Sequence, residues 1–218
     1  MPLPFTRAEF LHVFAVYNGA IWPLQIIAAA LGLLAVGLLF SRSARADRAV
    51  SAILSFFWAV TGAGYHWMSF TAVNRAAYLF GTLFILMAAI LLVEGTVRNR
   101  IRFGTVPGAR AWIAALLIVY SYAVYPLIGL LVTHPYPETP LFGVTPCPTT
   151  IFTLGILLLG RHPNPWPLAA IPLVWSLIGG SAAILLAIPQ DWGLLAAAAA
   201  WTAATVTASG GAPEKTAG

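Results

Sequence analysis

The chain has 218 residues, 60% of them apolar and only 8% charged, with a formal net charge of +5 and a mean hydropathy of +0.88. A water-soluble domain carries roughly 25% charged residues, so this chain cannot cover itself with polar surface in water, and the lipid bilayer is its expected solvent. Its basic residues fall in short stretches between apolar runs, which is a positive-inside pattern rather than a phosphate-binding stripe, and nucleic acid is excluded as a partner.

The N-terminal residues read as a retained segment rather than a cleavable signal, because Arg7 and Glu9 precede a mixed stretch and the first long apolar run starts near Ile21. Thr6-Arg7-Ala8-Glu9 has the spacing of a capping box, and Phe10, Phe14 and Tyr17 recur at helical spacing. A short amphipathic helix lying in the membrane interface is predicted there, broken at Asn18-Gly19. Spanning the hydrocarbon takes about 20 apolar residues. Runs at 21–40, 50–70, 76–93, 111–132 and 168–188 meet that length, and shorter ones at 148–160 and 193–208 complete seven. The expected architecture is an all-α polytopic bundle of about seven transmembrane helices. Residues 1–20 form the interfacial helix, 21–208 the transmembrane domain and 209–218 a disordered cytoplasmic tail.

Charge orients the bundle. Arg42, Arg45, Arg48, Arg98, Arg100, Arg102, Arg110, Arg161 and Lys215 fall on one side of the predicted spans, and Arg7 and Arg75 on the other. This asymmetry places the N-terminus outside and the C-terminus inside, as expected for a multi-pass protein of a bacterial inner membrane.

With that orientation, unusual polar residues collect at the outer face: Tyr65 and His66 at the end of the second span and Asn74 after it, His134, Cys147, Thr149 and Thr150 around the fifth, and Gln190 and Asp191 after the sixth, with Tyr65 and Gln190 expected at the rim of a shared cavity. Tyr65, His66, Asn74, Cys147, Thr149, Thr150, Gln190 and Asp191 are therefore the candidate ligand-binding residues. Thr145-Pro146-Cys147-Pro148-Thr149-Thr150 is the sharpest local feature, since proline at a helix start wastes no hydrogen-bond donor. A helix over 148–160 rises about 20 Å, short of a full crossing. It reads either as a broken half-helix entered through non-helical backbone at 141–147, or as the end of one ordinary span. A helix start favours a thiolate at Cys147, and with His66 and His134 it makes a candidate soft-metal set. The structural alternative is a small buried thiol. Tyr120, Tyr122 and Tyr125 read as packing residues. Cys147 is the one cysteine, which excludes an intramolecular disulfide. The one lysine, Lys215, lies in the tail, which excludes a retinal-type Schiff base in the membrane. No phosphate loop, paired zinc motif, nucleophile elbow or dinucleotide fingerprint is present, and the cofactor is left unknown.

The blocks YHWMSFTAVNRAAYLFG, FGVTPCPTTIFTLG and WSLIGGSAAILLAIPQDWG resemble those of an uncharacterised bacterial polytopic inner-membrane family, a domain of unknown function. The resemblance runs over nearly the whole chain and implies an inner-membrane protein without implying an activity. Three functional readings stay open: a transporter or channel-like protein for a small solute or soft metal ion, with its site in the outer half of the bundle; a structural or assembly subunit of a membrane complex; and a membrane enzyme dependent on Cys147. Their partners would be the bilayer, a small solute or metal ion, and a second copy or a membrane-complex subunit.

Overall fold

The structure is a computed structural model that describes residues 4–41, 43–104, 106–133, 135–161 and 164–210. The described residues are helical and contain no strand; an isolated antiparallel bridge joins Phe103 to Gly160. Helix α1 (Arg7–Ala20) starts at the expected capping box: Thr6 N donates to Glu9 Oε2 at 2.7 Å and Glu9 N donates to Thr6 Oγ1 at 3.3 Å. The backbone N–H of Thr6, and then its hydroxyl, hold the Glu9 carboxyl below its ordinary range. Helix α2 (Leu24–Leu38) follows at an angle of 87° to α1.

Helix α3 (Ala44–Val60) runs into a π-helical segment at Thr61–Trp67. Helix α4 (Ala77–Ile90) runs into another at Leu91–Val97. Helix α5 (Ala109–Val119), a π-turn at Tyr120–Val124, α6 (Tyr125–Ile128) and a π-turn at Gly129–Thr133 form one continuous rod. Helices α7 (Pro146–Leu158), α8 (Trp166–Leu186) and α9 (Gly193–Gly210) complete the bundle. Three stretches are long and apolar enough to cross a bilayer, Ala77–Val97, Ala109–Leu131 and Trp166–Leu186, of 21, 23 and 21 residues, which marks the chain as a membrane protein. The expected tail lies largely outside the described residues.

The centre of the bundle is α7, whose 13 residues are all buried. It packs against α5, α8 and α9, and Trp58 of α3 reaches across to donate to Thr153 Oγ1 at 2.9 Å. The helix begins at Pro146, two residues earlier than expected, with Thr145 at the N-cap. Thr145 does not cap it; its hydroxyl turns back to Leu141 O at 2.8 Å.

The non-helical backbone before α7, exposed at Pro137 and largely buried from Thr139, needs partners for its carbonyls, and α1 supplies them. Tyr17 Oη donates to Val144 O at 2.8 Å, while Asn18 Nδ2 donates to Pro137 O at 2.7 Å and Thr139 O at 2.8 Å. Asn18, expected to break the helix, therefore lies inside α1, fully buried, and clamps this loop.

One end of the bundle carries the arginines. Asp47 accepts from Phe103 N at 3.0 Å and Arg102 Nη1 at 3.2 Å, and Arg110 Nη2 donates to Gly160 O at 2.8 Å. At the other end, α8 stops at Ala187, which adopts the left-handed conformation (φ 53°, ψ 52°). Ile188 N then donates back to Ala183 O at 2.9 Å, closing the helix as a Schellman turn in which glycine is the usual residue. A left-handed conformation costs an L-residue with a Cβ roughly 1 kcal/mol that glycine does not incur. Ala187→Gly should therefore stabilise the protein by about that amount in thermal unfolding in detergent; an unchanged or lower midpoint would mean that no strain resides there.

Candidate functional site

The polar groups expected at the outer face come from three different loops, and the fold brings several of them to one cavity. A cavity of about 190 Å³ lies among α1, the π-segment of α3, the start of α4, the start of α7 and the second half of α8. Tyr65, Asn74, Cys147 and Asp191 line it. Its remaining wall is mainly aromatic: Phe5, Phe10, Phe14, Phe70, Phe80 and Trp175. These rings pack on one another, with Phe14 stacked on Tyr65 at 4.9 Å, Tyr65 stacked on Phe70 at 5.5 Å, and Phe80 edge-on to Trp175 at 5.4 Å between centroids. The cavity opens past Ser181 and Leu185, which are exposed on α8.

Its polar floor is built by the turn at Pro189–Trp192 and the start of α7. The left-handed residue Ala187 ends α8 and directs the chain back across the bundle, which buries Asp191 to 3% exposure. Tyr125 Oη donates to Asp191 Oδ1, and the Cys147 thiol lies within hydrogen-bonding reach of the same carboxyl. Tyr120 Oη donates to Gln190 O at 2.7 Å and anchors the turn from behind. Burial pushes the Asp191 carboxyl up to about 6, against the hydrogen bonds from Tyr125 and Cys147 that pull it down. The ion pairs among the described residues, Glu94 with Arg98 and Arg100 and Asp47 with Arg102, all lie on the arginine-bearing segments, and none reaches Asp191.

The other candidates sit elsewhere. His66 is fully buried but does not line the cavity: Trp175 stands against it at 5.0 Å, Phe84 at 4.7 Å and Tyr65 at 5.1 Å between ring centroids. Neither of its ring nitrogens has a hydrogen-bond partner. Thr149 and Thr150 lie buried in the first turn of α7 with unpartnered hydroxyls, outside the cavity lining. Gln190, expected at the rim, is buried behind the floor. His134 lies outside the described residues. Among those described, no three of His, Cys, Asp and Glu come together in a metal-ligating arrangement, because aromatic rings enclose His66 while Cys147 faces a carboxyl. The third member of the expected metal set, His134, lies outside the residues for which that holds.

Two residues central to the site escaped the sequence reading. Tyr125 reads as a packing residue before a proline, and Trp175 as one more apolar position in a long span. The π-turns that rotate Tyr125 towards Asp191 leave no periodicity signal.

A family model described as "Family of unknown function (DUF6064)" matches residues 7–209. No curated protein and no solved structure matches the chain.

Two measurements probe the floor. A hydrogen bond to a charged group contributes roughly 1.5–3 kcal/mol, so Tyr125→Phe should cost about that much. Tyr122→Phe, which loses a 3.3 Å bond to Ala29 O, should cost about 1 kcal/mol or less; equal losses would deny the Tyr125–Asp191 pair its weight. The second is linkage. Because the folded carboxyl of Asp191 titrates above its unfolded value of 3.8, the native state keeps this proton longer than the unfolded chain does. Its contribution therefore declines as pH rises from about 3.8 to about 6. Unfolding followed across that window should show the decline in wild type and its removal in Asp191→Asn; parallel pH profiles would refute it.

Proposed function

The chain belongs to this family of unknown function, and from that premise we propose that it is a multi-pass inner-membrane protein, a transporter or channel-like carrier that holds a small solute in the outer half of its bundle. The single observation that carries this reading is the cavity with Asp191 at its floor: a buried carboxyl with no ionic partner among the described residues, facing roughly 190 Å³ of space. A buried charge without a partner is costly, and inside a membrane bundle such groups mark substrate or ion pathways.

The proposed arrangement has about seven spans, α2, α3 with its π-segment, α4, the α5–α6 rod, α7, α8 and α9, with the N-terminus outside and the C-terminus inside. Two further features support it. Exposed tryptophans fall at both ends of the helices: Trp112 and Trp166 in first turns that follow the arginine-bearing loops, and Trp22, Trp67 and Trp192 at the turns of the opposite end. That is the pattern of two interfacial belts. Large apolar side chains such as Leu33, Leu79, Leu116, Leu177 and Leu185 are exposed on the helices between them, as lipid contact requires. The short α7 meets no lipid.

Topology is tested first. In a Cys147→Ser background, Ser43→Cys and Asn164→Cys should resist membrane-impermeant thiol reagents in intact cells, while Tyr136→Cys should label. Labelling of the first pair would reverse the orientation. The cavity is tested by native mass spectrometry of the protein taken from its membrane in lipid nanodiscs. Wild type should carry a bound small molecule, and Ala182→Trp, which fills the cavity, should lose it. An empty wild-type protein would count against a solute carrier and in favour of a structural subunit.

A further inference from the structure

We infer that the cavity selects a small organic cation with an apolar body, its positive centre held between the aromatic wall and Asp191. This rests on the solute-carrier reading above and adds the chemical class of the solute.

The walls decide the class. Phe10, Phe14, Tyr65, Phe70, Phe80 and Trp175 surround the space, and aromatic faces carry partial negative charge that attracts a cation within about 6 Å of the ring centroid. The floor holds one carboxyl. The titratable groups around Asp191 are Tyr125 on α6, Tyr120 on the adjoining π-turn, Cys147 on α7 and Tyr65 across the cavity, and none of these can carry a positive charge. Arg75, next to the lining residue Asn74, is exposed and does not line the cavity. The start of α9 at Gly193 gives the carboxyl partial compensation through its helix dipole, which explains how the carboxyl is tolerated without a bound partner.

An anion would meet Asp191 with no counter-charge to offset it. A fully polar solute would leave its hydrogen-bonding groups against phenylalanine rings. A molecule with an apolar body and a positive centre satisfies both parts of the wall. The indole N–H of Trp175, 7% exposed, stands towards the weakly accepting Cys147 thiol and beside Gly179, which lines the cavity. It offers one donor to an acceptor atom on the same molecule. The opening past Ser181 and Leu185 faces sideways from α8, a route suited to an amphipathic cation that partitions into the membrane interface.

The test compares three probes of nearly one shape: benzyltrimethylammonium, its uncharged carbon isostere neopentylbenzene, and the anion phenylacetate. Binding to purified wild-type protein is followed by calorimetry and by tryptophan fluorescence, for which Trp175 is the reporter in the wall. The cation should bind at least about tenfold more tightly than the isostere, as a desolvated cation–π contact with a nearby carboxylate implies. Asp191→Asn should abolish most of that preference, and Phe70→Leu should weaken the cation while sparing the isostere. Asp47→Asn, on the arginine-bearing segments, should change neither. The wild-type comparison needs no variant to fold. Equal binding of cation and isostere would overturn the cation assignment and leave a carrier of neutral apolar solutes. Preference for phenylacetate would overturn it in favour of an anion. Absence of binding by all three would remove the cation assignment, and a wild-type protein also empty in native mass spectrometry would remove the carrier reading with it.

Discussion

The satisfaction of backbone polar groups at depth is the constraint from which the rest of this fold follows. Helix α7 has 13 residues, all buried, and rises only about 20 Å, so the chain enters it through irregular backbone that becomes buried from Thr139 onward. Such backbone survives only where protein groups complete its hydrogen bonds. Tyr17 and Asn18 of α1 do this for the carbonyls of Val144, Pro137 and Thr139. They can do so because α1 turns by 87° from α2 and lies over the entry instead of continuing as one long rod. The same turn carries Phe10 and Phe14 into the cavity wall. The clamp on α7 and the enclosure of the cavity are two results of one bend.

The floor answers a related problem. A carboxyl buried beside a thiol and two tyrosines is held by Tyr125, by Cys147 and by the nearby start of α9, and none of these supplies a full positive charge. The rest of the cavity wall is mainly aromatic and aliphatic and supplies no full positive charge either. This is the reverse of the arginine-bearing segments, where Asp47 receives both a guanidinium and a backbone N–H and is satisfied within the chain. The two buried aspartates differ in what the fold leaves around them: Asp47 is finished as a structural joint with a guanidinium, and Asp191 has no ion-pair partner among the described residues.

Much of this was legible in the sequence where the signal was local or periodic. The capping box at Thr6 and Glu9 is a spacing of three residues and forms as read. The long apolar runs became helices, and Tyr65, Asn74, Cys147 and Asp191 meet because the helix ends and turns that carry them pack around one cavity. What failed depended on distance or register. Asn18-Gly19 reads as a helix stop, yet the partners of Asn18 lie 119 and 121 residues away, and no local rule reports them. His66 and Tyr125 lie in or beside π-segments, where an extra residue per turn rotates every following side chain. Hence His66 points into a box of rings rather than towards Cys147, and Tyr125 towards the carboxyl rather than into ordinary packing.

The enclosure of α7 also bears on how the protein is made. During synthesis a helix is tested by the insertion machinery for its own preference for lipid, and 13 residues with two prolines and three threonines form too short and too polar a segment to pass that test unaided. Its neighbours α8 and α9, which cover two of its faces, leave the ribosome after it. Of the helices that enclose it, α5 is made before α7, whereas α8 and α9 can close over it only afterwards. A ribosome stalled after α7 would therefore leave a product whose central helix is covered by α5 but still open on the faces that α8 and α9 cover.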